Sequence, residues 1–112
     1  MITDSKPTPM GELEHTLVIL GEECMEVAHR VAKALRFGLD ECNPADPTKN
    51  NAYLIGEEFA QLIAVYARLS AAGVLPDQTE REFVAMRERK LDKMDEYMGY
   101  SVQCGTLIAP TE

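Results

Sequence analysis

Apolar residues recur every three or four positions along two stretches of the chain, a spacing that predicts two amphipathic helices. The first stretch follows Thr8 and Pro9, which suit an N-cap and a first helical turn, and it continues to Gly38. The second stretch stops at Gly73. We expect each helix to bury one apolar face, formed by Leu13, Leu17, Leu20, Cys24, Val27, Val31 and Ala34 in the first and by Ile55, Phe59, Leu62, Tyr66 and Leu69 in the second.

The segment between these helices, residues 39–51, is predicted to be a loop. It contains Pro44 and Pro47, together with asparagines and acids that disfavour regular structure. At its end, Asn50 or Asn51 is predicted to N-cap the second helix.

A third helix is predicted to follow the turn at Pro76. Thr79 and Glu82 have the spacing of a capping box, and the helix is expected to run to Gly99. Its apolar edge consists of Leu91, Met94 and Met98.

These elements predict an all-α fold. No segment alternates apolar and polar residues at period two, so any strand is limited to a short piece near Val102 or Leu107. The first two helices are expected to form an antiparallel hairpin, and the third to contribute to a four-helix-bundle-like core that is completed by oligomerisation. A chain of 112 residues with 46 % hydrophobic content is expected to form a single domain over residues 1–112, with a core at about 10–98 and a tail at 99–112.

The charge of the chain excludes two classes of partner. With a formal net charge of -8 and only 11 lysines and arginines, the protein is not expected to bind nucleic acid or an anionic membrane. Three cysteines without CxxC spacing predict reduced thiols rather than disulfides or a zinc ribbon. The N-terminus has no signal-peptide pattern, so a cytoplasmic location is expected, in a bacterium or a phage-infected host.

Two blocks of similar sequence lie in the middle of the two apolar helices. Residues 20–27 read LGEECMEV, and residues 55–62 read IGEEFAQL. In an antiparallel hairpin the two blocks meet near mid-helix, with their acids facing a shared space. The blocks are therefore candidates for one site built from both helices.

The acids of these blocks interrupt helices that are otherwise apolar. Glu26 follows Glu22 and Glu23 by about one turn. Gln61 follows Glu58 by the spacing that separates Glu23 from Glu26, so each set projects to one side of its helix. Clustered carboxylates repel one another and lose hydration, and a hard divalent cation relieves both costs. Mg²⁺ or Mn²⁺ fits these ligands best.

Two other interpretations of the acids remain open. Exposed helix surfaces are rich in glutamate, so the repeat is also compatible with two solvated faces. A di-iron bundle requires Glu-x-x-His on two helices. Glu26 and His29 supply one copy, but Gln61 stands where the second copy needs histidine.

Five short motifs follow one another along the chain: GEExxE at 21–26, KALRFG at 33–38, Asn51, EExxQ at 57–61 and KxxKxxxY at 90–97. In this order, on a helical chain, they resemble the MazG-like nucleotide pyrophosphohydrolases, of the short single-domain type found in phages and bacteria. The resemblance covers about residues 10–98. It implies cleavage of a nucleoside triphosphate to a monophosphate and pyrophosphate, and a homotetramer or a dimer.

The resemblance also implies roles for the acids. Glu23, Glu26, Glu58 and Gln61 correspond to the residues that hold Mg²⁺ (or Mn²⁺), although the family has aspartate where this chain has Gln61. Glu22 is assigned as the base that accepts a proton from the attacking water. Because Gln61 removes one negative charge, an alternative function is a catalytically weakened or inactive protein that sequesters a nucleotide. A third possibility is a helical adaptor without a metal site.

A triphosphate carries several negative charges, so cationic side chains beyond the metal are expected to bind it. The candidates for phosphate or substrate binding are Lys33, Arg36, Asn51, Lys90, Lys93 and Tyr97. Residue patterns do not identify the base. Four aromatic residues are compatible with stacking on a base or with a place in the core, and the core is expected for each: Phe37, Tyr53, Phe59 and Tyr66. The resemblance implies dGTP or a related guanine nucleotide.

Overall fold

The computed structural model describes residues 8–110 and is all-α, as predicted. These residues form three helices, α1 (Glu12–Phe37), α2 (Asn51–Ala71) and α3 (Glu80–Cys104), and they contain no strand beyond an isolated antiparallel bridge between Cys42 and Asn50. Over residues 8–110 no helix is both long and apolar enough to cross a membrane. The chain divides into two compact units, residues 1–77 and 78–112, and the prediction of a single domain stays a prediction.

Helix α1 begins later than predicted. Its N-cap is Gly11 rather than Thr8, and Pro9 lies outside the helix. Gly11 has an extended backbone, with φ -69° and ψ 164°, and its carbonyl accepts the first helical bond from the His15 N–H at 2.9 Å. Glycine is among the residues that suit an N-cap, where the backbone is extended rather than helical. The predicted end is confirmed, because Gly38 caps the helix with a φ of 104° that favours glycine.

Helices α1 and α2 pack against each other as an antiparallel hairpin. Thr16 near the start of α1 and Arg68 near the end of α2 line the same surface cleft. At the opposite end of the pair, Phe37 of α1 and Leu54 of α2 line another. This arrangement places the two Gly-Glu-Glu blocks near the middle of facing helices.

The predicted apolar faces are only partly buried. Leu69 is fully buried, Ala34 is 5 % exposed, and half-buried positions are Leu20, Val27, Ile55, Leu62 and Tyr66. The hairpin does not bury five residues of the predicted faces, and two of the four aromatic residues expected in the core are also exposed in the single chain: these are Leu13, Leu17, Cys24, Val31 and Phe59, and Phe37 and Tyr53. One helix covers only a strip of its neighbour, and the apolar residues of α1 extend around more of its surface than α2 reaches.

The loop between α1 and α2 is held by two asparagines. Asn50 is the N-cap of α2, since its side chain accepts a hydrogen bond from the Tyr53 N–H at 2.8 Å. Asn51 is the first residue of the helix and is buried. Its side-chain amide donates to the Gly38 carbonyl at 2.8 Å and to Glu41 Oε2 at 3.1 Å. These bonds join the end of α1 to the start of α2.

The second unit is built on α3, and its start is as predicted. The Thr79 hydroxyl accepts a hydrogen bond from the Glu82 N–H at 3.2 Å and donates to the Glu82 carboxylate at 3.0 Å. The predicted end at Gly99 was wrong, because α3 continues to Cys104. An interior glycine costs about 1 kcal/mol but does not by itself end a helix. Gly105, with φ 78°, supplies the left-handed cap instead.

The tail therefore differs from the prediction in one further respect. Val102 lies within α3, and Leu107 follows the helix without forming a strand. The Thr106 N–H and the Leu107 N–H both approach the Ser101 carbonyl, at 3.0 and 3.2 Å, and turn the chain back toward the helix end. The Ser101 carbonyl and these two N–H groups are thus hydrogen-bonded to each other, and they do not require a neighbouring strand.

Candidate functional site

A pair of glutamates, one from each block, lies between the helices of the hairpin. Both Glu23 on α1 and Glu58 on α2 are half-buried. In each, the Oε2 atom is shielded from solvent and has no hydrogen-bond partner. Buried carboxylate oxygens are rarely left without a partner, because burial removes their hydration. Two such atoms on facing helices therefore identify an unusual site.

The helical period explains why these two acids, and not their neighbours, lie at this position. Glu23 falls on the same face of α1 as Leu20 and Val27, which are half-buried against α2. Glu58 falls between Ile55 and Leu62 on the corresponding face of α2. Apolar neighbours on both sides thus hold each carboxyl group at the helix interface.

The pKa of the Glu23 carboxyl is raised above its usual value. Burial is the largest cause, because a poorly hydrated site disfavours the charged form. The negative charge of Glu58 and the capacity of the two carboxyls to share a proton act in the same direction, and the charges of Glu26 and Glu22 add smaller contributions. A cation placed between the two helices would remove this repulsion.

The structure does not bring all four predicted metal ligands together. Glu26 and Gln61 are exposed, although each lies three residues beyond the buried acid of its own helix. Within the described part of the chain, no three His, Cys, Asp or Glu side chains converge in an arrangement that could hold a metal ion. Glu22, the predicted base, is also exposed and therefore accessible to water. The buried pair fits a cation, because its two unpartnered oxygens need a positive partner.

The remaining acid of the second block has a different environment. Glu57 Oε2 lies 3.2 Å from Lys49 Nζ, and both side chains are more than one-third exposed. The pKa of Lys49 is raised, chiefly by its hydrogen bond to Glu57 and the negative charge of that residue. Glu57 thus already has a cationic partner, and it is not part of the buried pair.

A cavity of about 270 Å³ lies at the loop end of the hairpin. Among the residues that line it are Arg30, Lys33, Phe37, Glu41, Asn51 and Leu54. At a rise of about 1.5 Å per residue, Arg30 is about 10 Å along α1 from Glu23. The cavity combines two cations, a carboxylate and an aromatic ring, on the side of the acid pair toward the loop.

The predicted substrate-binding residues of α1 and α2 divide into two groups. Lys33 lines the cavity, whereas Arg36 is exposed and its guanidinium lies over the Phe37 ring, 4.8 Å from the centroid. Asn51 also lines the cavity, but its amide group is occupied by Gly38 and Glu41. The prediction that Asn50 or Asn51 caps α2 is confirmed at Asn50, and Asn51 is the first residue of the helix. The proposed contact of Asn51 with phosphate or sugar stays a prediction, although the amide hydrogens of Asn51 already have acceptors.

Lys90, Lys93 and Tyr97 lie on exposed positions of α3, in the second unit. Lys93 Nζ lies 5.8 Å from the centroid of the Tyr97 ring, an i, i+4 contact along the helix. Their part in substrate binding stays a prediction.

Two residues of the cavity were missed by the sequence analysis. Arg30 follows Glu23 by seven residues, two helical turns, so the same period that marked the acid face also marked this arginine. Glu41 lies in an irregular loop, where no period applies, and backbone and side-chain hydrogen bonds with Asn51 place it in the cavity.

No family model, curated protein or solved structure matches the chain. The class of protein is therefore inferred from the residues of the hairpin and from their arrangement.

Proposed function

We propose that this protein is a metal-dependent nucleotide pyrophosphohydrolase of the MazG-like type, which cleaves a nucleoside triphosphate to the monophosphate and pyrophosphate. The observation that carries the proposal is the Glu23–Glu58 pair, in which both Oε2 atoms are shielded from water and without a hydrogen-bond partner. Glutamates on a solvated helix surface keep their hydration, so the solvated-face interpretation does not account for two shielded oxygens without partners.

The acids have separate roles in this proposal. Glu23 and Glu58 would hold Mg²⁺ or Mn²⁺, which prefer oxygen ligands, and the exposed Glu26 and Gln61 remain proposed ligands that the hairpin alone does not bring to the pair. The ion, when bound, supplies Lewis-acid chemistry at the phosphate oxygens and a lowered pKa for a bound water. Glu22 is adjacent to Glu23 and exposed, so its carboxylate is available to accept the proton of the attacking water.

Cationic residues bind the rest of the triphosphate. Lys33 lines the cavity at the loop end of the hairpin, and Arg30 is added here because it lines the same cavity. The α3 residues Lys90, Lys93 and Tyr97 remain proposed contacts, as does Arg36. Arginine and lysine suit this role because they neutralise phosphate charge and donate several hydrogen bonds.

The exposed apolar side chains support the oligomer that the proposal includes. Leu13 and Leu17 on α1 are 46 % and 40 % exposed, and Phe59 and Ile63 on α2 are 53 % and 51 % exposed. A hairpin of two helices buries only the strip between them, so these surfaces gain stability when another copy covers them. A four-helix bundle of two hairpins, in a dimer or a homotetramer, is the arrangement proposed.

One observation favours the alternative, a protein that binds a nucleotide without cleaving it. The described residues bring two rather than three acidic side chains together, and Gln61 contributes no charge. A weakly held ion gives little catalysis, while the cations of the cavity still attract a phosphate.

Product analysis separates the two functions. The protein is incubated with each dNTP and NTP, and with ppGpp, in Mg²⁺ or Mn²⁺, and monophosphate and pyrophosphate are measured. Hydrolysis in metal and its loss in EDTA support the enzyme. Binding without turnover supports the sequestering protein. If the protein neither binds nor cleaves any of these nucleotides, both functions are contradicted, and a helical adaptor is the function that remains.

A further inference from the structure

The side chain of Lys49 extends from the loop along the first two turns of α2. Its Nζ atom lies 3.2 Å from Glu57 Oε2 and 5.5 Å from the centroid of the Tyr53 ring. Tyr53 and Glu57 are one turn apart, so both contacts hold the ammonium group on the same side of the helix. The loop thus brings a cation to the second Gly-Glu-Glu block.

This ammonium group lies beside the acid pair but does not occupy it. Glu57 immediately precedes Glu58, so the Cα atoms of the two residues are about 3.8 Å apart. The shielded Oε2 atom of Glu58 has no hydrogen-bond partner, so Lys49 does not donate to it. The space between the carboxylates of Glu23 and Glu58 therefore stays available for a metal ion while Lys49 lies at its edge.

The cations of the loop-end cavity start from positions farther from the acids. At a rise of about 1.5 Å per residue, Arg30 and Lys33 are about 10 and 15 Å along α1 from Glu23. A triphosphate that binds an ion at the acid pair has its phosphate oxygens next to that ion. Lys49 bonds to the residue adjacent to Glu58, so it is better placed than either cavity cation to reach these oxygens.

The ammonium group also has donor capacity for a ligand. It carries three N–H groups, and Glu57 accepts one of them. Both side chains of the ion pair are more than one-third exposed, so the pair contributes little to stability and a ligand from solvent can reach it. The hydrogen bond to Glu57 and the negative charge of that residue raise the pKa of Lys49, which keeps the group cationic.

We propose that Lys49 is a phosphate-binding residue of the substrate site, and that Glu57 positions its ammonium group rather than binding the metal. This inference rests on the proposed function, because it places the triphosphate at the Glu23–Glu58 pair. Without a ligand, Glu57 and Tyr53 hold the ammonium group beside α2. When a triphosphate binds, the remaining N–H groups of Lys49 donate to its oxygens and neutralise part of its charge.

The test measures binding by calorimetry in Mg²⁺ with two probes, inorganic tripolyphosphate and the α,β-methylene analogue of dGTP, which is not cleaved between the α and β phosphates. Lys49→Met is expected to raise the Kd of both probes by about tenfold, because a lost hydrogen bond to a charged group has about this effect. The two factors should be equal, since Lys49 contacts phosphate and not the base. Lys49→Arg keeps the charge and should retain most of the affinity.

Two further variants control for charge and for folding. Arg68→Met removes a positive charge about 15 Å along α2 from Glu58, and it is expected to leave both Kd values unchanged. Lys49→Met is expected to leave the Tm nearly unchanged, because the ion pair is exposed. Lys49→Gln, measured in parallel, decides the outcome if Lys49→Met does not fold. In hydrolysis of dGTP, Lys49→Met should raise KM by a similar factor and change kcat less.

The possible results separate this inference from the proposed function. Kd values that are unaffected by Lys49→Met, or affected equally by Arg68→Met, overturn the role of Lys49 and leave the hydrolase intact if the wild type cleaves nucleotides. If the wild type cleaves no nucleotide, the hydrolase is wrong. Tripolyphosphate binding that depends on Lys49 then still supports a phosphate-binding role for this residue. A wild-type protein that binds neither probe overturns it.

Discussion

The two Gly-Glu-Glu blocks have nearly the same sequence pattern but different surroundings. In both blocks the second glutamate, Glu23 or Glu58, points into the hairpin with an unpartnered oxygen. The first glutamate differs, because Glu57 pairs with Lys49 at 3.2 Å whereas Glu22 is exposed beside the buried acid. The helical period thus determines which acid of each block lies between the helices. The loop residue Lys49 gives the other acid of the second block, Glu57, a cationic partner.

The largest effect is expected from removing the charge of either buried acid. Glu23→Gln or Glu58→Gln should lower metal-dependent hydrolysis by at least about 100-fold, because each removes a ligand and part of the neutralising charge. Glu57→Gln is the matched control from the same block and should retain most of the activity. The measurement is kcat/KM at saturating Mg²⁺. Equal losses in Glu57→Gln and Glu58→Gln would contradict the assignment of Glu58, and not Glu57, as a metal ligand.

Restoring the missing carboxylate sharpens the comparison. Gln61→Asp makes the second block acidic at the position that corresponds to Glu26 in the first, so it should strengthen the hold on the cation. We expect hydrolysis at limiting Mg²⁺ to increase about tenfold, the effect expected of one additional favourable interaction. Gln61→Asn keeps the amide and should give no increase. A rate unchanged by aspartate would remove Gln61 from the site.

The raised pKa of Glu23 predicts how stability depends on pH in the absence of metal. Between the ordinary pKa and the raised one, the folded protein holds more protons than the unfolded chain. The free energy of unfolding therefore falls as the pH rises through this window. Glu23→Gln should raise the Tm at pH 8 and flatten this slope, whereas the exposed Glu88→Gln should do neither. Thermal melts in EDTA from pH 4 to 8 measure this dependence of the Tm on pH. An unchanged slope in Glu23→Gln would contradict the repulsion between Glu23 and Glu58.

The smallest effect is expected at the exposed ion pair. Lys49→Met removes the partner of Glu57, but side chains this exposed are strongly screened by water and salt. The Tm should change little in low salt and not at all in high salt. A large, salt-independent decrease in Tm would show that Lys49 supports the loop in another way than through its charge.

The fold and the acid pair were largely predictable because both depend on helical periodicity. The three- and four-residue spacing predicted the three helices and two acidic sets, Glu22, Glu23 and Glu26 with Glu58 and Gln61, that face a shared space. Only Glu23 and Glu58 of these sets lie between the helices. The same reasoning failed for Leu13 and Leu17, because a period shows which residues share a face but not how much of that face a neighbour covers.

The cavity was not predictable, because it depends on the loop. Glu41 is placed by the loop, since its carbonyl accepts from the Asn51 N–H at 3.0 Å and its carboxylate accepts from the Asn51 side chain at 3.1 Å. Nothing in the local sequence distinguishes it from Asp40 beside it, and both residues are exposed. For Asn51 the sequence predicts a helix cap, a common role of asparagine at a helix start, or a phosphate ligand. Its bonds to Gly38 and Glu41 join residues 10 or more positions away in sequence.

Cation binding by Glu23 and Glu58 is tested by a thermal melt in Mn²⁺ and in EDTA, for the wild type and for the double variant Glu23→Gln/Glu58→Gln. A ligand that binds only the folded protein stabilises it by about 2.7 kcal/mol at 100 times its Kd. If the Glu23–Glu58 pair binds the cation, millimolar Mn²⁺ raises the Tm of the wild type and leaves that of the double variant unchanged. A wild-type Tm that is the same in Mn²⁺ and in EDTA, or an equal rise in both proteins, would contradict cation binding by this pair.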